Sequence, residues 1–138
     1  MIEDRLYPLL LRLNRLLSRA LNARLREVEL TGEQAVMLDA IDRDPALKVT
    51  DLCCALSIDA STVSTNLKPL MARSLVSSVA DCTDARARRL HLTQDGRRRL
   101  SVARQVLWDL DLEMTQKLKD CGFVDDLASA LRILSSAP

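Results

Sequence analysis

Only three of the 138 residues are aromatic, Tyr7, Trp108 and Phe123. That excludes a surface built on stacked rings, the usual device for single-stranded RNA. Glycine is as scarce, with Gly32, Gly96 and Gly122 alone, and no Gly-rich phosphate-cradling loop occurs. His91 is the single histidine, and no CxxC or HxH spacing is present, so no metal or other cofactor is expected. No nucleophile has an evident base partner, which leaves an enzyme reading without support. The N-terminal leucines are interrupted by Arg5, Arg12, Arg15 and Arg19. No uncharged run long enough for a membrane span or a secretory segment results, so a cytoplasmic protein without a membrane partner is expected.

What is present is one domain's worth of chain with a substantial apolar fraction, 48 %, enough for a single core. The four cysteines, Cys53, Cys54, Cys82 and Cys121, are therefore read as reduced thiols rather than a disulfide framework. Net charge is +1, but it is unevenly spread. Between residues 60 and 99 stand eight basic residues (Lys68, Arg73, Arg86, Arg88, Arg89, Arg97, Arg98, Arg99) and three acidic ones (Asp81, Asp84, Asp95). That segment carries +5, which leaves −4 for the remainder. Concentrated positive charge on an otherwise acidic chain suits a polyanion-binding face.

Residues 2–26 repeat apolar side chains at steps of three and four, from Ile2 through Leu6, Leu9, Leu10, Leu13, Leu16, Leu17 and Leu21 to Leu25. This predicts a long helix with a wide apolar face. A domain this small has little spare surface to cover it, so a partner chain is expected there. Thr31-Gly-Glu-Gln34 is a capping-box start, and its helix stops near Asp42–Pro45. Thr50 begins a short helix whose buried stripe is Leu52, Ala55 and Leu56. Ser57-Ile58-Asp59 makes a tight turn, with Ile58 tucked in and Asp59 or Ser61 capping the next helix. That helix, about 60–73, turns Val63, Leu67, Leu70 and Met71 inward. Pro69 within it removes one hydrogen bond and predicts a kink. Residues 75–80 and 88–92 read as strands around a polar loop, 81–87. Thr93 with Gly96 opens a long helix to about Asp120, Cys121-Gly122 breaks it, and 123–135 forms a last helix.

The outward face of helix 60–73 carries Ser61, Thr62, Ser64, Thr65, Asn66 and Lys68, and no acid stands anywhere from 60 to 80. Solvated faces usually carry Glu–Lys pairs; this one suits DNA. Hydroxyls and Lys68 can bond phosphates, and Asn66 can bond adenine at N6 and N7. In the loop, Asp84 two residues before Arg86 is positioned to hold that guanidinium in one direction, as a narrow minor groove requires. Helix, turn, helix and hairpin in this order would put a helix into a major groove and the hairpin against the neighbouring backbone.

The segments LTGEQ at 30–34, TDLCCALSIDASTVSTNLKPLMARSLV at 50–76 and DCTDARARRLHLTQDG at 81–96 together resemble the MarR family of winged helix-turn-helix regulators. The resemblance implies a mainly α fold with a small β-hairpin wing (α+β), spanning 1–138 as one domain. A winged-helix lobe, about 31–99, would be flanked by N- and C-terminal dimerisation helices, about 1–30 and 100–138. It further implies a homodimer on pseudo-palindromic promoter DNA, repressing its own or a neighbouring operon. A small aromatic or phenolic effector, or thiol oxidation, would release it. By position, 60–73 is the recognition helix, Asp84 and Arg86 are the wing pair, and Arg88 lies beside them. The chain departs from the family pattern at Thr65 and Thr83, where arginines are frequent, and at Ser74, where glycine commonly ends the recognition helix.

Cys82 falls in the wing loop near arginines that favour a thiolate. Adjacent Cys53 and Cys54 point about 100° apart on their short helix, and Cys121 ends the long one. Two or three of the four are expected to be buried as small hydrophobes, with Cys82, or a pair of distant cysteines, the candidate redox switch. His91 alternates with Leu90 and Leu92 and should face away from the core. The competing function is a winged-helix dimer that binds a partner protein in place of an operator.

Overall fold

The structure, a computed structural model, describes residues 5–135. In chain order it contains α1 (Leu6–Arg24), a 3-10 turn (Leu25–Val28), α2 (Gly32–Arg43), α3 (Val49–Leu56), α4 (Ala60–Ala72), β1 (Val76–Ala80), β2 (Arg88–Leu92) and α5 (Gln94–Leu118). A second 3-10 turn (Lys119–Cys121) and α6 (Phe123–Ser135) follow. The chain divides into two compact units, Met1–Val106 and Leu107–Pro138, and α5 runs through the boundary. The fold is the expected one, mainly helical with a single β1–β2 hairpin.

In the first unit every α-helix but α1 starts where a side chain satisfies one of its free amides. Thr31 accepts from the Gln34 amide at 3.2 Å while the Gln34 side chain accepts from the Thr31 amide at 3.1 Å. Asp59 accepts from the Thr62 amide at 2.7 Å. The Thr93 hydroxyl accepts from the Gly96 amide at 3.0 Å. α3 begins one residue earlier than the sequence suggests, because the Asp51 carboxylate accepts from the Lys48 amide at 2.9 Å and fixes Lys48 as its cap.

The core of this unit is aliphatic. Leu25, Met37, Leu38, Ile41, Leu52, Val63, Leu70, Leu75, Leu90 and Leu100 are almost wholly buried, each contributing roughly 1.5–3 kcal/mol by leaving water. Leu52 is the one fully buried side chain of α3; Ala55 is exposed and Leu56 half-buried, so the expected three-residue stripe is narrower. On α4, Val63, Leu67 and Leu70 are buried as read, whereas Met71 is exposed, at 39 %. Pro69 does not end α4, which continues to Ala72; it occupies the last turn, where few intrahelical bonds remain to lose.

The hairpin is antiparallel with Val76 opposite Leu92, Ser78 opposite Leu90 and Ala80 opposite Arg88. Its inner edge is tied to the segment before α3. The Leu90 amide donates to the Leu47 carbonyl at 2.9 Å, and Lys48 bridges to Arg89. At its other end the Thr93 amide and hydroxyl both donate to the Leu75 carbonyl, and a Cβ on Gly96 would strike that same oxygen. Glycine is required there by close approach rather than by φ.

α1 has no buried residue, and Leu6, Tyr7 and Leu16 are more than 60 % exposed; Ile2 of the expected apolar face lies outside the described residues. In the second unit Leu110 is buried, while Trp108, Leu131, Ile133 and Leu134 stand exposed.

Among the described residues three other than glycine adopt left-handed backbone: Glu29, Ser57 and Ser74. Ser74, at φ 56°, terminates α4 where glycine would carry no Cβ penalty. Ser74→Gly is therefore expected to raise stability by about 0.5–1 kcal/mol, read as a higher urea midpoint at unchanged m-value.

Candidate nucleic-acid interface

Ser61, Ser64, Thr65 and Lys68 recur at steps of three and four along α4 and so share one stripe; Thr62 and Asn66 form the adjoining one. Ser61, Thr65 and Lys68 are exposed, and Thr62, Ser64 and Asn66 half-buried. The hydroxyls are already oriented. Ser61 donates to Asp59 at 2.8 Å, and Thr65 donates to the Ser61 carbonyl at 2.9 Å. The Asp59 carboxyl is held below its ordinary value, chiefly by the Thr62 amide and then by the Ser61 hydroxyl. Asn66 differs from expectation, since its Nδ2 donates to Glu33 Oε2 at 3.0 Å and to the Thr62 carbonyl at 3.1 Å. The face is free of acids in sequence but borders a carboxylate from α2 in space.

The wing loop is organised by Asp81, a carboxylate outside the expected site residues. Asp81 has a fully buried side chain. Its Oδ1 accepts from the Thr83 amide at 2.7 Å, the Thr83 hydroxyl at 2.6 Å and the Asp84 amide at 3.1 Å. Its Oδ2 accepts from Arg89 Nε at 2.6 Å, with Lys48 Nζ at 3.8 Å. These donors, the Thr83 hydroxyl first and Arg89 next, hold the carboxyl well below the usual carboxylate range. Arg89 is correspondingly raised, first by its Asp81 hydrogen bond. The Asp-x-Thr spacing at 81–83 was the available signal for this turn.

Asp84 does not grip the Arg86 guanidinium as expected. Its carboxylate accepts from the Arg86 amide at 3.0 Å, and its carbonyl accepts from the Ala87 amide at 3.0 Å. A side chain only two residues away reaches the backbone more readily than the end of a long guanidinium arm. Asp84 thus shapes the tip, and Arg86 stands exposed without an ion pair among the described residues. Arg88 is the guanidinium that is pinned, by the Ser78 hydroxyl at 2.8 Å and the Ser78 carbonyl at 2.9 Å.

The +5 segment is partly compensated in three dimensions. Glu29 takes Arg99 at 2.8 Å and Arg73 at 3.5 Å, and its carboxyl is lowered mainly by the Arg99 hydrogen bond. Arg89 pairs with Asp81 and Arg98 with Asp95. Among the described residues Lys68, Arg86, Arg88 and Arg97 form no ion pair, which leaves positive charge on α4, the wing and the start of α5. No hydrogen bond or ion pair joins the α4 set to the wing set among the described residues; the shared core beneath them fixes both.

All four cysteines are free. Contrary to expectation none is buried. Cys53 is half-buried, with Sγ 3.7 Å from the Val49 carbonyl, and Cys54, Cys82 and Cys121 are exposed. Cys121 Sγ lies 3.0 Å from the Leu118 carbonyl. Helices this short or this terminal have no second layer to cover their outer sides. Among the described residues no three His, Cys, Asp or Glu side chains converge on a metal position, and no helix is long and apolar enough to cross a membrane.

A two-helix unit with a capped, hydroxyl-rich second helix, backed by an ordered hairpin, is a winged helix-turn-helix. Residues 29–87 match the family model described as MarR family. A MarR mutant from E. coli complexed with operator DNA superposes with TM-score 0.81 at 25 % identity, covering 94 % of this chain and 92 % of that one. The S. aureus MepR–DNA complex shares the fold at TM-score 0.85 and 20 % identity, over 98 % of this chain and 100 % of that one. PcaV from Streptomyces coelicolor, solved with its natural ligand, does so at 0.85 and 23 %, over 100 % and 97 %. No curated protein sequence matches the chain. The helix-turn-helix and wing segment, 29–87, thus carries the MarR-family pattern, on a fold shared with solved regulators of that family bound to DNA.

The Asp81 geometry makes wing stability pH-dependent. Because the folded carboxyl titrates below its ordinary value of 3.8, its contribution is complete above that value and is lost as pH falls through the lower folded one. Asp81→Asn should lower the urea midpoint at neutral pH, and the gap from wild type should narrow below about pH 4. Equal midpoints at neutral pH would show that the buried carboxylate does not hold the wing.

Proposed function

We propose that the chain is a homodimeric repressor that seats α4 of each protomer in successive major grooves of a pseudo-palindromic promoter site. The observation that carries this reading is the exposed hydroxyl and amide face of α4, with Lys68, Arg86 and Arg88 uncompensated on the same lobe. Ser61, Ser64, Thr65 and Lys68 bond phosphates, while Thr62 and Asn66 face base edges. Arg86 enters the minor groove, Arg88 is held by Ser78 toward the neighbouring backbone, and Asp84 shapes the loop that presents both.

A dimer is supported by the apolar surface that one chain leaves uncovered. Leu6, Tyr7 and Leu16 on α1, and separately Leu131, Ile133 and Leu134 on α6, exceed what isolated chains usually expose. A two-fold partner covers such faces symmetrically and places two recognition helices about 34–36 Å apart, one turn of DNA. The protein works in the cytoplasm, on the promoter of its own or a neighbouring operon. Release follows either a small aromatic or phenolic effector or oxidation of exposed thiols. Cys82 and Cys54 lie on the reading lobe, with Cys53 and Cys121 as further candidates.

The test is a titration against duplex DNA from upstream of its own gene, from about 50 to 200 mM salt. Arg86→Ala should weaken binding about fivefold or more, and Lys68→Ala should reduce the salt slope by about one. Wild-type-like binding by both variants, with a shallow slope, would favour the protein-interaction reading. Peroxide treatment that left affinity and thiol count unchanged would remove the thiol route.

A further inference from the structure

The Asn66 amide carries two hydrogens, and the structure uses both. One goes to Glu33 Oε2 at 3.0 Å and the other to the Thr62 carbonyl at 3.1 Å. Both partners are acceptors only, which fixes the orientation of the amide group. The Thr62 bond comes from the preceding turn of the same helix. The Glu33 bond is long-range, from the exposed first turn of α2, and forms the one side-chain bridge between α2 and the outward face of α4 among the hydrogen bonds of the described residues.

An asparagine meeting adenine bidentately must donate to N7 while accepting from the N6 amino group. With both hydrogens taken, Asn66 presents only its carbonyl oxygen. An acceptor alone bonds the amino groups of adenine (N6) and cytosine (N4) equally. Guanine and thymine offer only acceptors, or a methyl group, at the corresponding edge.

We propose that Glu33 is a specificity-determining positioning residue. By holding one Asn66 hydrogen it turns a residue suited to adenine into one that reads any amino-bearing base. The inference rests on the reading of α4 as the groove-binding helix. It also gives Glu33 a role in the regulator that its place in the helix start does not require, since Thr31 and Gln34 already complete the cap. A glutamine at 33 would keep a carbonyl acceptor for Asn66, whereas an alanine would free one hydrogen for adenine N7.

Selection from a randomised duplex library with wild type, Glu33→Gln, Glu33→Ala and Asn66→Ala tests this, with melting temperatures recorded for each variant. Wild type and Glu33→Gln should accept adenine and cytosine alike at the position facing Asn66. Glu33→Ala should favour adenine over cytosine there by about fivefold or more, the value of an added base contact, at unchanged salt slope. A purely structural Glu33 would shift melting temperature without moving the adenine-to-cytosine ratio, and that result overturns the proposal. So does a wild-type preference for adenine alone. If Asn66→Ala erases the preference while Glu33→Ala leaves it intact, α4 still reads the groove and only Glu33's role falls. If Asn66→Ala changes no position, the groove reading at this residue fails with it.

Discussion

The buried Asp81 carboxylate is the interaction on which the reading lobe depends. An ionised group taken out of water is costly unless its lone pairs are filled, and here four donors bond its two oxygens, with the Lys48 ammonium at 3.8 Å. Thr83 and Asp84 supply the loop, Arg89 supplies the opposite strand, and Lys48 supplies the approach to α3. One charge therefore closes the wing loop, clamps its two strands and ties the hairpin to the helix-turn-helix. The backbone repeats the connection, through Leu90 to Leu47 and through the Lys48–Arg89 bridge. The wing is thus built as part of the helical lobe rather than as a free flap.

A second charge cluster belongs to the same lobe. Glu29, in left-handed backbone between the first turn and α2, binds Arg73 at the end of α4 and Arg99 on α5, while Arg73 and Arg99 also donate to the carbonyls of Glu29 and Val28. The end of α4 is thereby referenced to the segment after α1. Of the cations that make the 60–99 segment positive, Arg73, Arg99 and Arg89 serve architecture, while Lys68 on α4, Arg86 and Arg88 on the wing and Arg97 on α5 form no ion pair among the described residues. The division between structural and available cations is the electrostatic content of the fold.

Much of this was legible in the sequence, for identifiable reasons. The capping box at Thr31–Gln34, the Asp59 cap and the Thr93–Gly96 start rest on contacts within three residues, and local chemistry decides them. The second strand follows from Leu90 and Leu92 alternating against the core after a polar loop. Long-range pairing was not legible. Asp81 with Arg89 and Lys48, Glu29 with Arg73 and Arg99, and Glu33 with Asn66 join residues 8 to 70 positions apart, and no spacing rule reports them. The expected Asp84–Arg86 clamp failed for the same reason in reverse: at two residues' separation the carboxylate satisfies backbone amides first. Two or three of the cysteines were expected in a core that α3 and the end of α5 are too peripheral to provide. The resemblance to the MarR family was legible because its motif residues lie within contiguous segments.

The central claim is that α4 and the wing engage one DNA duplex as a single reading head. Amide hydrogen exchange of the chain with and without an operator duplex tests it directly. The account predicts slowed exchange in two separated segments at once, 61–68 and 83–88, with the wing amides bonded to Asp81 already protected in the free protein. Protection confined to α4, or protection that appears in neither segment while DNA is bound, would contradict it.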